Sequence, residues 1–132
     1  MEGFIMKEKL ELEYQLTCSA SSLFRAVSTP AGLKQWFAED VSYDNQNEFV
    51  FSWSGTKEKA LLIESKENLH IKFAWEDEPE YYLNFRIDYQ ELMGGILLTV
   101  TDFAERSEIE DTISFWNLQI DKLKRSIGCS KN

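Results

Sequence analysis

The stretch that most constrains the fold is the last one, SEIEDTISFWNLQIDKLKRSIG, residues 107–128. Ile109, Ile113, Trp116, Ile120, Leu123 and Ile127 recur at four- and three-residue spacing, which puts them on one side of an α-helix. Ser107 and Glu110 fit an S-x-x-E capping box. Acidic residues crowd the first turn, and Lys122, Lys124 and Arg125 the last, as the helix dipole favours. Gly128 stands where a C-terminal cap belongs. About 20 residues at a rise of 1.5 Å make a rod of roughly 30 Å, long enough to cross a whole sheet. A rod with a single apolar stripe must lie against something apolar.

The rest of the chain supplies that surface. In KEKLELEYQLTC, Leu10, Leu12, Tyr14, Leu16 and Cys18 alternate with Glu11, Glu13, Gln15 and Thr17, the period of a half-buried strand. EFVFSW places Phe49, Phe51 and Trp53 on one face, and KALLIES continues as a further strand. LHIKFAW sets Leu69, Ile71, Phe73 and Trp75 against His70, Lys72 and Ala74. YYLNFRIDY sets Tyr81, Leu83, Phe85, Ile87 and Tyr89 against Tyr82, Asn84, Arg86 and Asp88, and GILLTVTDF is apolar on both sides for part of its length. Turn signals (DNQN, SG, SKEN, EDEPE and MGG) separate these runs. Short turns predict an antiparallel meander, and one-sided alternation means that a single face is covered.

After the first strand the period changes. SASSLFRAVS offers serines as an N-cap, with Leu23, Phe24 and Val27 at helical spacing. Ser28-Thr29-Pro30 ends that helix, because a residue before proline is pushed out of helical geometry. Thr29 can cap a second helix with Pro30 at its first position. Leu33, Trp36 and Phe37 then share one side of it. The order is strand, two short helices, about six strands and one long helix. The fold class is α+β: a curved antiparallel sheet of six to seven strands around a long C-terminal helix, in one domain over residues 1–132.

Composition narrows the function. An apolar share of 43% and an aromatic share of 14% indicate a folded globule. The net charge of -9, from 14 basic and 23 acidic residues with no basic stripe, argues against nucleic acid as a partner. No apolar stretch approaches the roughly 18 residues of a membrane span. MEGFIMKEKLELEYQL lacks a basic region leading into an apolar run, so no signal peptide is expected. Cys18 and Cys129 are read as unpaired thiols in a reducing compartment, with a disulfide open but not signalled. A cytoplasmic protein is expected.

The order of elements resembles the helix-grip fold of the START-like or SRPBCC superfamily. LFRAVSTPAGLKQWFAEDV is similar to the opening motif of the family of the C-terminal domain of the heat-shock chaperone ATPase activator: an apolar helix, a Thr/Ser-Pro step and a Leu-x-x-Trp-Phe helix. WNLQIDKLKRSI resembles that family's closing helix. The resemblance runs from about Lys7 to Ile127, with the middle strands matching in pattern only. It implies a cavity between the concave face of the sheet and the long helix, often used in the superfamily for hydrophobic small molecules. Members include lipid carriers, polyketide cyclases, hormone receptors and chaperone partners, and fold alone does not choose among them. A chain of this length holds only the one domain, so a co-chaperone role that needs a second domain is not expected.

The candidate ligand-binding residues are the aromatics expected to face inward: Phe49, Phe51, Trp53, Phe73, Trp75, Tyr81, Phe85 and Trp116, with Trp36 and Phe37 at the mouth as anchor and lid. Burial of such rings is worth roughly 1.5–3 kcal/mol each, so a filled core is the competing reading for any one of them. As a set, large flat rings on a bent sheet favour a cavity. His70 is the only histidine and falls on the polar side of its strand, where it reads as solvated rather than catalytic. Glu76, Asp77, Glu78 and Glu80 form a solvated hairpin tip whose spacing is not that of a calcium loop. Arg86, Asp88 and Asn84 read as surface. Phe115 and Leu118 lie off the main stripe, free to pack on the two short helices or to form a dimerisation patch, with packing favoured.

The function expected is a non-enzymatic domain holding an apolar or amphipathic small molecule between sheet and helix. No catalytic residue, metal or cofactor is assigned. The alternatives are a protein-interaction module related to the chaperone activators, and a small-molecule enzyme. The enzyme reading needs an ionisable group with a perturbed pKa inside the cavity, and the sequence marks out none. Monomer and homodimer both remain open.

Overall fold

The computed structural model describes residues 6–44, 46–92 and 94–129. The opening residues 1–5 of the leader reading, Asn45 of the DNQN turn and Met93 of the MGG turn lie outside them. Seven strands form one antiparallel sheet: β1 (Lys7–Leu16), β2 (Asp40–Tyr43), β3 (Glu48–Trp53), β4 (Thr56–Lys66), β5 (His70–Trp75), β6 (Tyr82–Tyr89) and β7 (Ile96–Glu105). Their spatial order is β1-β7-β6-β5-β4-β3-β2. The meander from β2 to β7 is therefore closed by β1, which pairs with β7 over its full length, Lys7 opposite Glu105 and Leu16 opposite Ile96. A bulge between Leu62 and Glu64 breaks the β4–β5 register, and such bulges sharpen the bend of a sheet.

The two short helices follow their caps. Helix α1 (Ala20–Ser28) starts at Ser19, whose hydroxyl accepts the Ser22 N–H at 3.1 Å. Helix α2 (Pro30–Trp36) starts at Thr29, whose hydroxyl accepts the Gly32 N–H at 3.0 Å and donates to the Arg25 carbonyl at 2.8 Å. One side chain thus ends α1 and begins α2. Gly32 is held to glycine by this crossing. A Cβ there would press into the Arg25 carbonyl oxygen and stand 2.8 Å from the Ala26 Cα. Both are backbone atoms that cannot swing aside, so Gly32→Ala is expected to cost about 1–3 kcal/mol in urea unfolding, the range for overpacking. An unchanged midpoint would mean that the helices separate freely.

Helix α3 (Ile109–Ser126) lies on the apolar face of the sheet. Trp116, Ile120 and Leu123 are buried, and the Trp116 ring meets Phe85 of β6 edge-on at 5.9 Å. Its lower end closes as expected: Gly128 has φ 72°, and the Cys129 N–H reaches the Lys124 carbonyl at 2.9 Å, a Schellman-type cap. Its upper end does not form the capping box. Ser107 sits inside a 3-10 turn (Arg106–Glu108), so the N-cap position falls to Glu108, which makes no side-chain cap bond.

Two further expectations are corrected. Cys18 and Cys129 are joined in a disulfide, which ties the start of α1 to the end of α3 across a sequence separation of 111. The chain ends of two distant elements meet at one corner of the fold, a proximity that spacing in sequence does not reveal. The reducing-compartment reading loses its premise with them. Leu118 does not pack on the short helices. It points to solvent and is 64% exposed, because the buried positions around it go to Trp116, Gln119 and Ile120. No helix among the described residues is long and apolar enough to cross a membrane.

Candidate functional site

Between the sheet and the upper half of α3 lies an open cleft of about 420 Å³. It is lined by Phe37 at the end of α2, Trp53 of β3, Glu58 of β4, Trp75 of β5, Leu83 of β6, Asp102 of β7, and Phe115 and Trp116 of α3. Every strand from β3 to β7 gives it one side chain. The volume falls in the range of about 300–1,000 Å³ usual for small-molecule sites.

Ring contacts and hydrogen bonds tie Phe37, Trp53 and Trp116 of the aromatic wall together. Phe37 stacks on Trp116 at 5.5 Å and meets Trp53 edge-on at 5.2 Å. The Trp53 indole N–H donates to the Phe37 carbonyl at 2.8 Å. Gln119, buried on the stripe of α3, donates to the Trp36 and Phe37 carbonyls at 2.7 and 3.2 Å. Those carbonyls end α2 and have no partner within it, so Gln119 and Trp53 satisfy what the short helix leaves open. These bonds hold the Phe37 and Trp53 side of the wall to α2 and α3.

Asp102 is the polar feature of the cleft. Its position on β7 alternates with Thr101 and Phe103, which places it on the inner face with Leu98, Val100 and Ala104. Oδ2 accepts the Trp116 indole N–H at 2.8 Å, and Oδ1 accepts the Phe103 backbone N–H at 2.8 Å. Burial raises its carboxyl above the ordinary aspartate value of 3.8, while those two bonds and the charge of Lys7 pull it back. A second, polar cleft of about 540 Å³ shares Glu58, Trp75 and Asp102 with the first. In it Lys7 is held by Glu78, Nζ to Oε1 at 2.7 Å, and stands over the Tyr81 ring.

The expected site residues divide into three groups. Phe37, Trp53, Trp75 and Trp116 come together on the aromatic cleft, and Tyr81 borders the polar one. Phe49, Phe51, Phe73 and Phe85 are buried behind the wall as core. Trp36 is also behind it, 2% exposed, with its indole N–H on the Ala26 carbonyl at 2.8 Å. Trp36 does not line the cleft, whereas Phe115 of α3, 39% exposed, does. The residues missed were Asp102, Glu58, Leu83 and Gln119. Period-two counting back from Ala104 would have found Asp102 facing inward, and its carboxyl is the cleft group whose pKa burial raises. His70 lies on the outer face of the sheet, 3.5 Å from Glu64.

Comparison with known proteins agrees with the fold. The solution structure of a Bacteroides fragilis protein is 36% identical, covers 96% of this chain and 95% of its own, and superposes with a TM-score of 0.63. The Aha1 dimer of Colwellia psychrerythraea reaches a TM-score of 0.77 over 91% of this chain and 96% of its own at 15% identity. An AHSA1-like protein from Aeromonas hydrophila reaches 0.73 over 92% of each chain, also at 15% identity. At that identity the last two show the shared fold alone. A search of curated proteins found no match. A START-like superfamily domain model matches residues 4–129, from the strand that closes the sheet to the cysteine that ends the gripped helix, and the chain belongs to that superfamily.

Proposed function

We propose that this START-like domain binds an apolar or amphipathic small molecule in the cleft between the sheet and α3, without acting on it chemically. The aromatic cleft carries the reading: five rings and Leu83 surround about 420 Å³ that no side chain fills. A binder is favoured over a catalyst because, among the described residues, no histidine, cysteine or lysine lines this cleft, and both oxygens of Asp102 already accept N–H groups. General acid-base or nucleophilic chemistry would want a second positioned group beside it.

Native mass spectrometry of freshly purified protein tests for a retained apolar ligand. Titration with neutral naphthylmethanol, read by fluorescence of the tryptophans, tests the cleft itself. Trp75→Leu removes part of the wall and is expected to weaken that probe about tenfold, from the ring area it buries. Undiminished binding by folded Trp75→Leu, or no binding by the parent chain, contradicts the proposal.

A further inference from the structure

The cleft that is proposed to bind a small molecule has an asymmetric chemistry. Among the described residues its lining includes two carboxylates, Glu58 and Asp102, and no basic side chain. Around them stand the faces and edges of Trp53, Trp75 and Trp116. Ring faces carry negative potential, and tryptophan attracts cations best among the aromatics. Among the described residues Asp102 accepts two hydrogen bonds, against about four that a carboxylate can take. The geometry points to an organic cation with an aromatic or apolar body as the ligand class, its ammonium group directed at Asp102 and Glu58 and its body against the tryptophans. This inference rests on the binding role proposed above and specifies its ligand.

The nearby positive charges do not reverse that choice. Lys7 of β1 borders only the polar cleft and is engaged by Glu78. Lys57 and Lys59 of β4 also border that cleft, opposed by Asp77, Glu78 and the two shared carboxylates. From α3, Asp102 meets only the neutral indole of Trp116. A cation entering the aromatic side therefore meets two lining carboxylates, while the Lys7 charge that reaches Asp102 is already answered by Glu78. An anion entering there would meet both carboxylates.

Three probes with one ring system separate body from charge: naphthylmethylammonium, naphthylmethanol and naphthoate, each titrated against the intact chain by calorimetry. The ammonium probe is expected to bind at least about tenfold more tightly than the alcohol, the scale of a charge-assisted contact in a partly dry site. Naphthoate is expected to bind weakest. Asp102→Asn should bring ammonium and alcohol close to parity, with circular dichroism reporting that the variant is folded. If that variant does not fold, Glu58→Gln at the exposed rim must narrow the same gap. Acidification supplies a check without mutation. As pH falls through the raised pKa of Asp102, the carboxylate gains a proton and the cation's advantage shrinks, while alcohol binding stays level.

Equal affinity for ammonium and alcohol in the parent chain overturns this inference and leaves the binding role standing. Preference for naphthoate overturns it and points to the lysines of the polar cleft. Binding of none of the three overturns both.

Discussion

The Trp116→Ala variant is expected to lose about 3–5 kcal/mol of unfolding free energy, the range for emptying a buried aromatic position. Trp116 is 1% exposed and is the point at which helix, sheet and α2 meet. Its ring contacts Trp36 at 6.3 Å, Phe37 at 5.5 Å and Phe85 at 5.9 Å, and its N–H is a donor to Asp102. Alanine would remove all four at once and leave a void that the rigid sheet cannot close. It would also leave a half-buried carboxylate with one partner fewer. Phe115→Ala is the control from the adjacent position. Its side chain is partly solvated already, and about 1 kcal/mol or less is expected. Urea unfolding of the two variants against the parent chain measures the difference. Equal losses would mean that α3 is not gripped through Trp116.

Breaking the Cys18–Cys129 bond is expected to cost about 2–5 kcal/mol, at the upper end because a cross-link over a separation of 111 removes much freedom from the unfolded chain. The Cys18→Ser/Cys129→Ser double variant should unfold at clearly lower urea than the oxidised parent. The same shift should appear when the parent is unfolded in the presence of reductant. Both cysteines should resist alkylation until reductant is added. Alkylation of both thiols in untreated protein, or coincident unfolding curves, would contradict the bond. The cost falls on the grip as well as on the fold, since the bond holds the lower end of α3 to the start of α1, below the cleft.

Much of the architecture was legible because its elements obey local rules. Leu10, Leu12, Tyr14 and Leu16 alternate so strictly that β1 could be little else. Thr29 and Pro30 announce the junction of α1 and α2, and the stripe ending at Ile127 announces α3. The START-like resemblance rested on these same stretches, and the matched family agrees with it. What was not legible depended on contacts far apart in the chain. Cys18 and Cys129 meet only because β1 pairs with β7 and α3 runs back across the sheet. Leu118 looked packable from helix periodicity, yet the position next to it, Gln119, takes the contact with α2 through carbonyl groups that no periodicity count can see.

The site divides in the same way. Inward-facing aromatics could be read from alternation. Which of them line free space and which fill the core depends on how the sheet bends over α3. Trp53 and Trp75 lie on the open side, while Phe51 and Phe73 lie against neighbouring rings. Asp102 escaped because GILLTVTDF is apolar on both faces near its start, which hides the phase of the strand just where the carboxylate occurs.

The proposed ligand enters between α3 and the inner face of the sheet, against the aromatic wall. Indole N–H resonances test it most directly, since each tryptophan reports a different place. On titration with naphthylmethanol, the indole signals of Trp53, Trp75 and Trp116 should move, and that of Trp36, behind the wall, should move least. Backbone amides of His70, Lys72 and Arg86 on the outer face should stay in place. Shifts confined to that outer face or to the exposed side of α3 around Leu118, with the three cleft indoles unmoved, would contradict the account.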